Sequence, residues 1–302
     1  MNKMKKHPTS CLAAAVVLSF LLISLFLTAC TASDPVQTEG SDSEPSSTVN
    51  ANQEGNDATE PAQTEGSGAD DPAPTEGSGW KPSKTLTGTD KVWVSYIREI
   101  VEKYDPEARS GETVFYGASN FARWETMEED LVPYLVQNHA FGGSTDRDLS
   151  FWADDALFPY NPKIVFFQTG SNDYAQSQAE TDELKIKEAM DFKKVMFAEF
   201  HEKMPEAKFV IMSGILLPGR AEFVDMTLEI NDQLKQFCDE TDYMYYVDAE
   251  ELTYSRETGE FVDGVNDLFV DDLIHLTPEA RITWANNWII PMLEELNAPK
   301  AE

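Results

Sequence analysis

Five short apolar runs, separated by stretches of helical pattern, constrain the fold of this chain more than any other feature. Each run is rich in β-branched or aromatic residues and is bounded by Gly, Asn or Pro; they are TVFYG (113–117), LVQNHA (135–140), KIVFFQTG (163–170), KFVIMSG (208–214) and YMYYVDA (243–249). Strands that alternate with helices form a mostly parallel sheet covered on both faces. The sequence therefore predicts an α/β domain: a three-layer α/β/α sandwich with a five-stranded parallel sheet.

The segments between the runs carry apolar residues at helical spacing. The clearest helices are predicted over 182–203 and 223–240, an apolar helix face runs over 93–104, and FARWETMEEDL (121–131) is also predicted to be helical. A last helix opens at Thr277-Pro278, where a cap residue precedes Pro, and we expect a kink at Pro291. Residues 87–302 are predicted to form one domain, with its ligand cleft beyond the carboxyl ends of the strands.

The first thirty residues have the pattern of an export signal. Three lysines precede an uncharged apolar run from Cys11 to Ala29, which suits either a secretory signal or an uncleaved membrane anchor. The last letters of the run, LTAC (27–30), resemble the lipobox of bacterial lipoprotein signal peptides. That resemblance implies a signal peptide over 1–29 and a lipid-modified Cys30. The chain would then be anchored by lipid to the bacterial cell membrane, facing its extracytoplasmic side.

Residues 30–86 are predicted to form a disordered acidic linker after the lipidated cysteine. Between 31 and 79 the chain has eleven acidic residues and no aromatic residue, Leu, Ile, Met, Lys or Arg, so it cannot bury enough apolar surface to fold. The whole chain has 23 Lys and Arg against 54 Asp and Glu, a formal charge of −31. Nucleic acid is therefore not expected as a partner, because binding phosphates requires clustered cations.

Polar candidates for catalysis follow the first three strands. Ser119 lies at a strand-to-helix turn, where its hydroxyl would be exposed beside the positive end of a helix. Gly143 belongs to a glycine pair that lets a backbone N–H approach a bound group closely. Asn172 could donate its amide N–H to an oxyanion. Each position also has a purely structural interpretation, as a helix cap, a turn or a loop residue.

One histidine has a carboxylate at short, fixed spacing. Asp272, three residues before His275, can hold the Nδ1–H of its ring and leave Nε2 free to take a proton from serine. Asp271 competes for that role, and the spacing favours Asp272. His201 is predicted to lie at a solvated helix end, and His139 either lines the cleft or packs. The DDLIH run (271–275) is a poor metal site, and no metal or other cofactor is expected.

Taken in order, Ser119, Gly143, Asn172 and the Asp272-x-x-His275 pair resemble the four blocks of the SGNH (GDSL) hydrolases, over about residues 112–290. The stretches NHAFGGST (138–145), SGILLPGR (213–220) and LFVDDLIHLTPEA (268–280) are similar to the platelet-activating-factor acetylhydrolase-like branch. The family word Gly-Asp-Ser-Leu is Gly-Ala-Ser-Asn here, so Ala118 replaces an acid, and Ala140 stands where a Gly is common.

The resemblance implies an SGNH/flavodoxin-like fold with Ser119 as nucleophile, His275 as general base and then acid, and Asp272 as orienting carboxylate. The oxyanion hole would comprise the backbone N–H groups of Ser119 and Gly143 and the side-chain amide of Asn172. The implied activity is hydrolysis of short acyl esters, acetyl above all, through an acyl-enzyme without a cofactor.

The substrate is expected to be a small-molecule or carbohydrate ester, because the acidic charge disfavours anionic lipid surfaces and polyanions. Two alternatives are an O-acyltransferase acting on envelope glycans and a non-catalytic binding lipoprotein of the same fold. Cys238 lies on an apolar helix face and is predicted to be a core residue rather than a nucleophile.

Overall fold

The computed structural model describes residues 79–301, and a single five-stranded sheet lies at the centre of this part of the chain. Its strands are β1 (Thr113–Gly117), β2 (Val136–Asn138), β3 (Ile164–Gln168), β4 (Lys208–Met212) and β5 (Met244–Val247). Their order is β2-β1-β3-β4-β5, and every neighbouring pair is parallel. The predicted fold class is confirmed, and each of the five apolar runs contains one strand.

Helices connect the strands. Within residues 79–301 they are α1 (Val94–Lys103), α2 (Ser119–Ala122), α3 (Met127–Asp130), α4 (Asp146–Ala156), α5 (Ser171–Gln176), α6 (Asp182–Lys203), α7 (Val224–Asp239), α8 (Pro278–Trp284) and α9 (Ile290–Glu295). A 3₁₀ turn, Gly88–Trp93, leads into α1, and a small hairpin of β6 (Tyr254–Ser255) and β7 (Glu260–Phe261) follows β5. No helix in this described part is long and apolar enough to span a membrane.

The strands explain why helices cover both faces of the sheet. Successive side chains of a strand point to opposite faces, and all five side-chain positions of β1 are buried. Val114 and Tyr116 pack in one apolar cluster with buried residues of α1, α4, α6 and α7. Phe115, between them, packs in a second cluster with buried residues of α2, α3, α8 and α9. The result is the three-layer sandwich.

The pairing of β1 with β3 fixes the edge at which the candidate residues lie. Gly117 is opposite Gln168 in the parallel register. A Cβ at position 117 would lie 2.2 Å from the Gln168 carbonyl oxygen, so only glycine permits so close an approach. The Ala118 N–H then donates to the same oxygen at 3.0 Å. The chain after β1 and the chain after β3 therefore leave the sheet side by side.

Two helical expectations differ from the structure. The segment 121–131 forms the end of α2 and then α3 instead of one helix, because buried Trp124 interrupts it and donates its indole N–H to Asp130 at 2.7 Å. The last predicted helix is not one continuous α-helix: a π-helical turn, Ala285–Ile289, separates α8 from α9 just before Pro291, which cannot donate a backbone hydrogen bond. The kink expected at Pro291 stays a prediction.

Two side-chain expectations have different outcomes. His201 lies in the last turn of α6, as predicted, but it is only partly solvated. Its ring stacks on Tyr243, with centroids 3.6 Å apart, because this turn lies against the start of β5. Cys238 is buried in the first apolar cluster, as predicted. Burial raises the pKa of its thiol to about 12, which keeps it protonated and unreactive.

The last residues of the predicted linker contact the domain. Trp80 and Leu86 pack against the first apolar cluster, the Ser83 hydroxyl donates to Asp155 at 2.7 Å, and Lys84 pairs with Asp154 at 2.8 Å. Residues 80–86 therefore pack as part of the domain surface instead of following the linker prediction. The predicted signal peptide, Cys30 and the linker up to residue 78 lie outside the described residues.

Candidate active site

Ser119 is the first residue of α2, at the carboxyl end of β1. As the first residue of a helix, it has a backbone N–H with no partner inside that helix. Among residues 79–301 neither this N–H nor that of Gly143 donates to a protein acceptor. Gly142 holds the second strand's loop against the serine, since a Cβ at position 142 would lie 3.7 Å from the Ser119 Cβ. The Ser119 turn and the loop after β2 therefore lie against each other, and each carries a backbone N–H that no described protein acceptor engages.

Asn120 joins the turn that carries Ser119 (the serine turn) to the loop that carries Asp272 and His275 (the histidine loop). Its side-chain Oδ1 accepts the Leu276 N–H at 3.1 Å, and its Nδ2 donates to the Ile274 carbonyl at 3.4 Å. These two contacts lie on either side of His275, and Asn120 directly follows Ser119. The side chain is buried, so the pairing is protected from water. The sequence reasoning missed this residue, although it stands where the GDSL word has Leu.

Asp272 holds His275 through two hydrogen bonds and accepts a third from the neighbouring Ile274. The ring Nδ1 lies 2.6 Å from one carboxylate oxygen, and the other oxygen accepts the backbone N–H groups of Ile274 and His275 at 2.8 and 2.9 Å. The loop is closed by the Val270 N–H, which donates to the His275 carbonyl at 2.9 Å. This arrangement fixes the ring, sets the tautomer with the proton on Nδ1 and leaves Nε2 unprotonated. Asp272, rather than Asp271, makes this contact.

The expected direct hydrogen bond between the Ser119 hydroxyl and His275 is not formed within the described residues. The hydroxyl has no hydrogen-bond partner there, and the ring Nε2 has none either. Catalytic hydrogen bonds are often loose before substrate arrives. The structure thus brings the two loops together through Asn120 and leaves the Ser119 hydroxyl and the His275 Nε2 without a described hydrogen-bond partner.

The charges around His275 favour its neutral form. Burial is the largest effect and lowers the pKa of the imidazole; Arg123 and Arg220 lower it further, and the hydrogen bond to Asp272 only partly offsets them. For Asp272, burial raises the pKa, but the hydrogen bonds from His275 and Ile274 outweigh burial and hold it below its ordinary value. At neutral pH the pair is therefore a carboxylate beside a neutral ring, ready to accept a proton.

The third strand supplies a buried amide. Asn172 lies in the first turn of α5, is 7% exposed, and donates its Nδ2 to the Ser144 carbonyl at 3.0 Å. Its Oδ1 accepts from the Arg220 guanidinium at 3.2 Å. An amide nitrogen has two N–H groups, so one remains for a ligand. The loop that follows β2 and the loop that follows β3 are joined by this side chain.

A buried cluster of Lys193, Asp146 and Asp173 connects the loops next to Asn172 to helix α6. Lys193 is fully buried and pairs with Asp146, while Asp146 donates its backbone N–H to Asp173 at 3.0 Å. Burial first, and the charge of Asp146 second, raise the pKa of Asp173 to about 7. The Lys193 ammonium also donates to Thr169 at 2.7 Å. These contacts tie the start of α4 and the start of α5 to α6.

His139 packs and does not line the cleft. Its ring lies between Tyr104 and Tyr160, with Nδ1 at 2.6 Å from the Ala156 carbonyl and Nε2 at 3.1 Å from Gln137. Complete burial lowers the pKa of the ring to about 3, so it stays neutral. Of the two roles left open for this histidine, the structure shows the packing role.

Gly143 is an exposed residue of the loop after β2. Its φ of +78° is a left-handed conformation that favours glycine, and a Cβ there would meet the Trp93 ring at 3.3 Å. Among the described residues no group of three or more His, Cys, Asp and Glu side chains is placed to hold a metal ion. The arrangement offers a hydroxyl, an oriented imidazole and up to three N–H donors, which is the equipment for nucleophilic acyl transfer.

No protein-family model and no curated protein matches the sequence, whereas solved structures match in fold. A chain assigned as an acylhydrolase from Bacteroides fragilis aligns with a TM-score of 0.53 and 15% identity, over 70% of this chain and 98% of its own. A chain assigned as a platelet activating factor from Streptococcus pneumoniae gives 0.53 and 13%, over 68% and 91%. A GDSL-like lipase from Bacteroides thetaiotaomicron gives 0.50 and 16%, over 68% and 97%. These similarities show a shared fold.

The environment of His275 predicts a low imidazole pKa. We expect the ring to titrate below the ordinary value of 6.5, as followed by NMR and assigned by the loss of its signal in His275→Gln. Asp272→Asn removes a negative charge and should lower this pKa further, whereas Arg123→Gln removes a positive charge and should raise it. Titration of the native ring above 6.5, or opposite shifts in the two variants, would contradict the described geometry.

Proposed function

We propose that this chain is a serine esterase of the SGNH (GDSL) hydrolase superfamily that cleaves short acyl esters, acetyl esters above all. One observation carries the proposal: the imidazole of His275, held by Asp272 at 2.6 Å, belongs to a loop that Asn120 ties to the Ser119 turn. A binding module has no need of an imidazole oriented in this way near a half-buried serine.

The mechanism has two steps. The Ser119 oxygen attacks the ester carbonyl carbon as its proton passes to His275 Nε2, and the new imidazolium is stabilised by Asp272. The carbonyl oxygen becomes an oxyanion that accepts from the Ser119 and Gly143 N–H groups and from the free N–H of Asn172. Collapse breaks the bond to the leaving alcohol, whose oxygen takes the proton from His275. Water then repeats the sequence on the acyl-serine and releases the carboxylic acid.

A small-molecule or carbohydrate ester fits the surroundings of the site best. The chain is strongly acidic, which disfavours polyanionic substrates. Next to Gly143 lie the ring of Trp93 and, 6.0 Å from that ring between centroids, the exposed ring of Tyr96. Aromatic rings with a solvent-exposed edge bind ligands that are apolar on one side and polar on the other, as sugars are. These features support a neutral ester substrate.

Ester hydrolysis by the full chain tests the proposal. With p-nitrophenyl acetate, Ser119→Ala and His275→Ala should each lower kcat/KM by at least about 10⁴-fold, because the two residues act as one unit. Asn172→Ala should lower it by about 10²–10³-fold, the usual effect of losing one oxyanion donor.

His201→Gln is the matched control for a histidine change. Its ring contacts Tyr243 and Phe209, at the amino ends of β5 and β4 and so at the opposite edge of the sheet, and we expect native activity. Equal hydrolysis rates in the native protein, Ser119→Ala and His275→Ala would refute the assignment.

We further propose that the enzyme is anchored by a lipid on Cys30 at the extracytoplasmic side of a bacterial cell membrane. The lysine-rich start, the uncharged run to Ala29 and the LTAC ending support this. Two acyl chains anchor a protein stably through burial of their CH₂ groups, whereas one chain alone binds a membrane only marginally. The acidic segment that follows would hold the domain away from the bilayer.

Metabolic labelling tests the anchor. In bacteria that produce the full chain, labelled palmitate should enter the native protein, and Cys30→Ala should abolish the incorporation. Cys11→Ala is the control, because it removes a cysteine inside the proposed signal peptide, and it should retain the label. Palmitate label that persists in Cys30→Ala would refute the proposed lipid anchor on Cys30.

A further inference from the structure

Arg220 lies in a turn that is pressed against the histidine loop. It belongs to the segment Pro218–Phe223, which follows β4, and its own backbone (φ −138°, ψ 41°) leaves the 3₁₀ conformation of its neighbours. Gly219 donates its N–H to the Leu273 carbonyl at 2.9 Å. A Cβ at 219 would lie 2.5 Å from the Asp272 carbonyl oxygen. The backbone beside Arg220 is therefore fixed to the loop that carries Asp272 and His275.

The guanidinium of Arg220 points to the other side of the site. Its Nη1 donates to the Ser171 hydroxyl at 2.9 Å and to the Asn172 Oδ1 at 3.2 Å. The Asn172 Nδ2 in turn donates to the Ser144 carbonyl at 3.0 Å. Arg220 thus links two parts of the site. Its side chain contacts the Asn172 amide, and the turn that contains it contacts the histidine loop.

These contacts allow only one orientation of the Asn172 amide. A guanidinium has donors and no acceptor, so it faces the amide oxygen, and the Ser144 carbonyl has only acceptors, so it faces the nitrogen. A flipped amide would place N–H groups against Arg220 and its oxygen against the Ser144 oxygen. The flipped form would also turn the carbonyl oxygen toward a developing oxyanion, which would repel it.

We propose that Arg220 is a positioning residue for the oxyanion hole: it holds the Asn172 amide so that the free N–H faces the reacting carbonyl. This inference rests on the proposed esterase function. Because a hydrogen bond from a charged donor also polarises the amide, the same contact strengthens Asn172 as a donor. Arg220 is the last residue of the SGILLPGR stretch (213–220), so this stretch would contribute to the site by positioning Asn172.

Steady-state kinetics of the full chain test this role. Arg220→Gln should lower kcat by about tenfold to a hundredfold, less than Asn172→Ala, because the Ser144 carbonyl still holds one side of the amide. KM should change little, since the effect lies in the transition state. Arg220→Lys should recover part of the loss. Arg147→Gln is the control, because that exposed guanidinium lies over the Phe192 ring and should leave kcat unchanged.

The double variant distinguishes positioning from direct substrate contact. If Arg220 acts through Asn172, adding Arg220→Gln to Asn172→Ala should cost almost nothing more. With rates measured at a pH where His275 is neutral in every variant, a full additional loss in the double variant, or a rise in KM with unchanged kcat, would show that Arg220 acts independently of Asn172 and would overturn the proposal.

A measurement independent of activity keeps this inference apart from the esterase proposal. In protein with ¹⁵N-labelled Asn, the Asn172 side-chain amide proton that is bonded to the Ser144 carbonyl, assigned with Asn172→Ala, should exchange slowly with solvent, and Arg220→Gln should accelerate its exchange at least about tenfold. Unchanged exchange would refute the positioning role even in an active enzyme. Inactivity of the native protein on esters would instead refute the proposed function. The exchange measurement would then still show whether Arg220 holds the Asn172 amide.

Discussion

The site depends on one buried amide side chain, that of Asn120, which bridges two loops more than 150 residues apart in the chain. Loops at the carboxyl edge of a parallel sheet have no ladder partners of their own, and bringing them together costs conformational entropy. Asn120 uses both its oxygen and its nitrogen, so it accepts from one loop residue and donates to another. It thereby fixes the serine turn and the histidine loop relative to each other.

A second constraint is the orientation of dipoles and charges around the two reacting side chains. Asp272 gives His275 its tautomer, and Arg123 and Arg220 favour its neutral state. The buried Lys193, with Asp146 and Asp173, stabilises the loops below Asn172. The chain as a whole has a large excess of acidic residues. The arginines near His275 nevertheless make the local electrostatic environment of the ring more positive than the net charge would suggest.

Much of the fold could be predicted from the sequence because its signals are local. The apolar runs mark the strands, and α6 has the bounds that its spacing predicts, Asp182–Lys203. The departures from prediction have tertiary causes. Trp124 splits the predicted helix after β1 because its indole binds Asp130 in the core, and His201 lies against Tyr243 because α6 ends beside β5.

The site was predictable to the extent that its contacts are close in sequence. Asp272 and His275 are three residues apart, so their pairing follows from spacing. Asn120 and Arg220 were missed as site residues because their partners are 48 to 156 residues away, and no periodicity encodes such contacts. The substitution of Leu by Asn in the Gly-Ala-Ser-Asn word was the one visible signal, and only the fold shows that it is a bridge.

The most direct test of the central claim, that Ser119 is a nucleophile activated by His275, is covalent labelling with a fluorophosphonate. We expect one adduct per chain, located by peptide mass spectrometry on Ser119, with displacement of fluoride by the serine oxygen. The labelling rate should fall by orders of magnitude in His275→Ala and remain native in His201→Gln. An unlabelled protein, an adduct on another residue, or equal labelling without His275 would contradict the account.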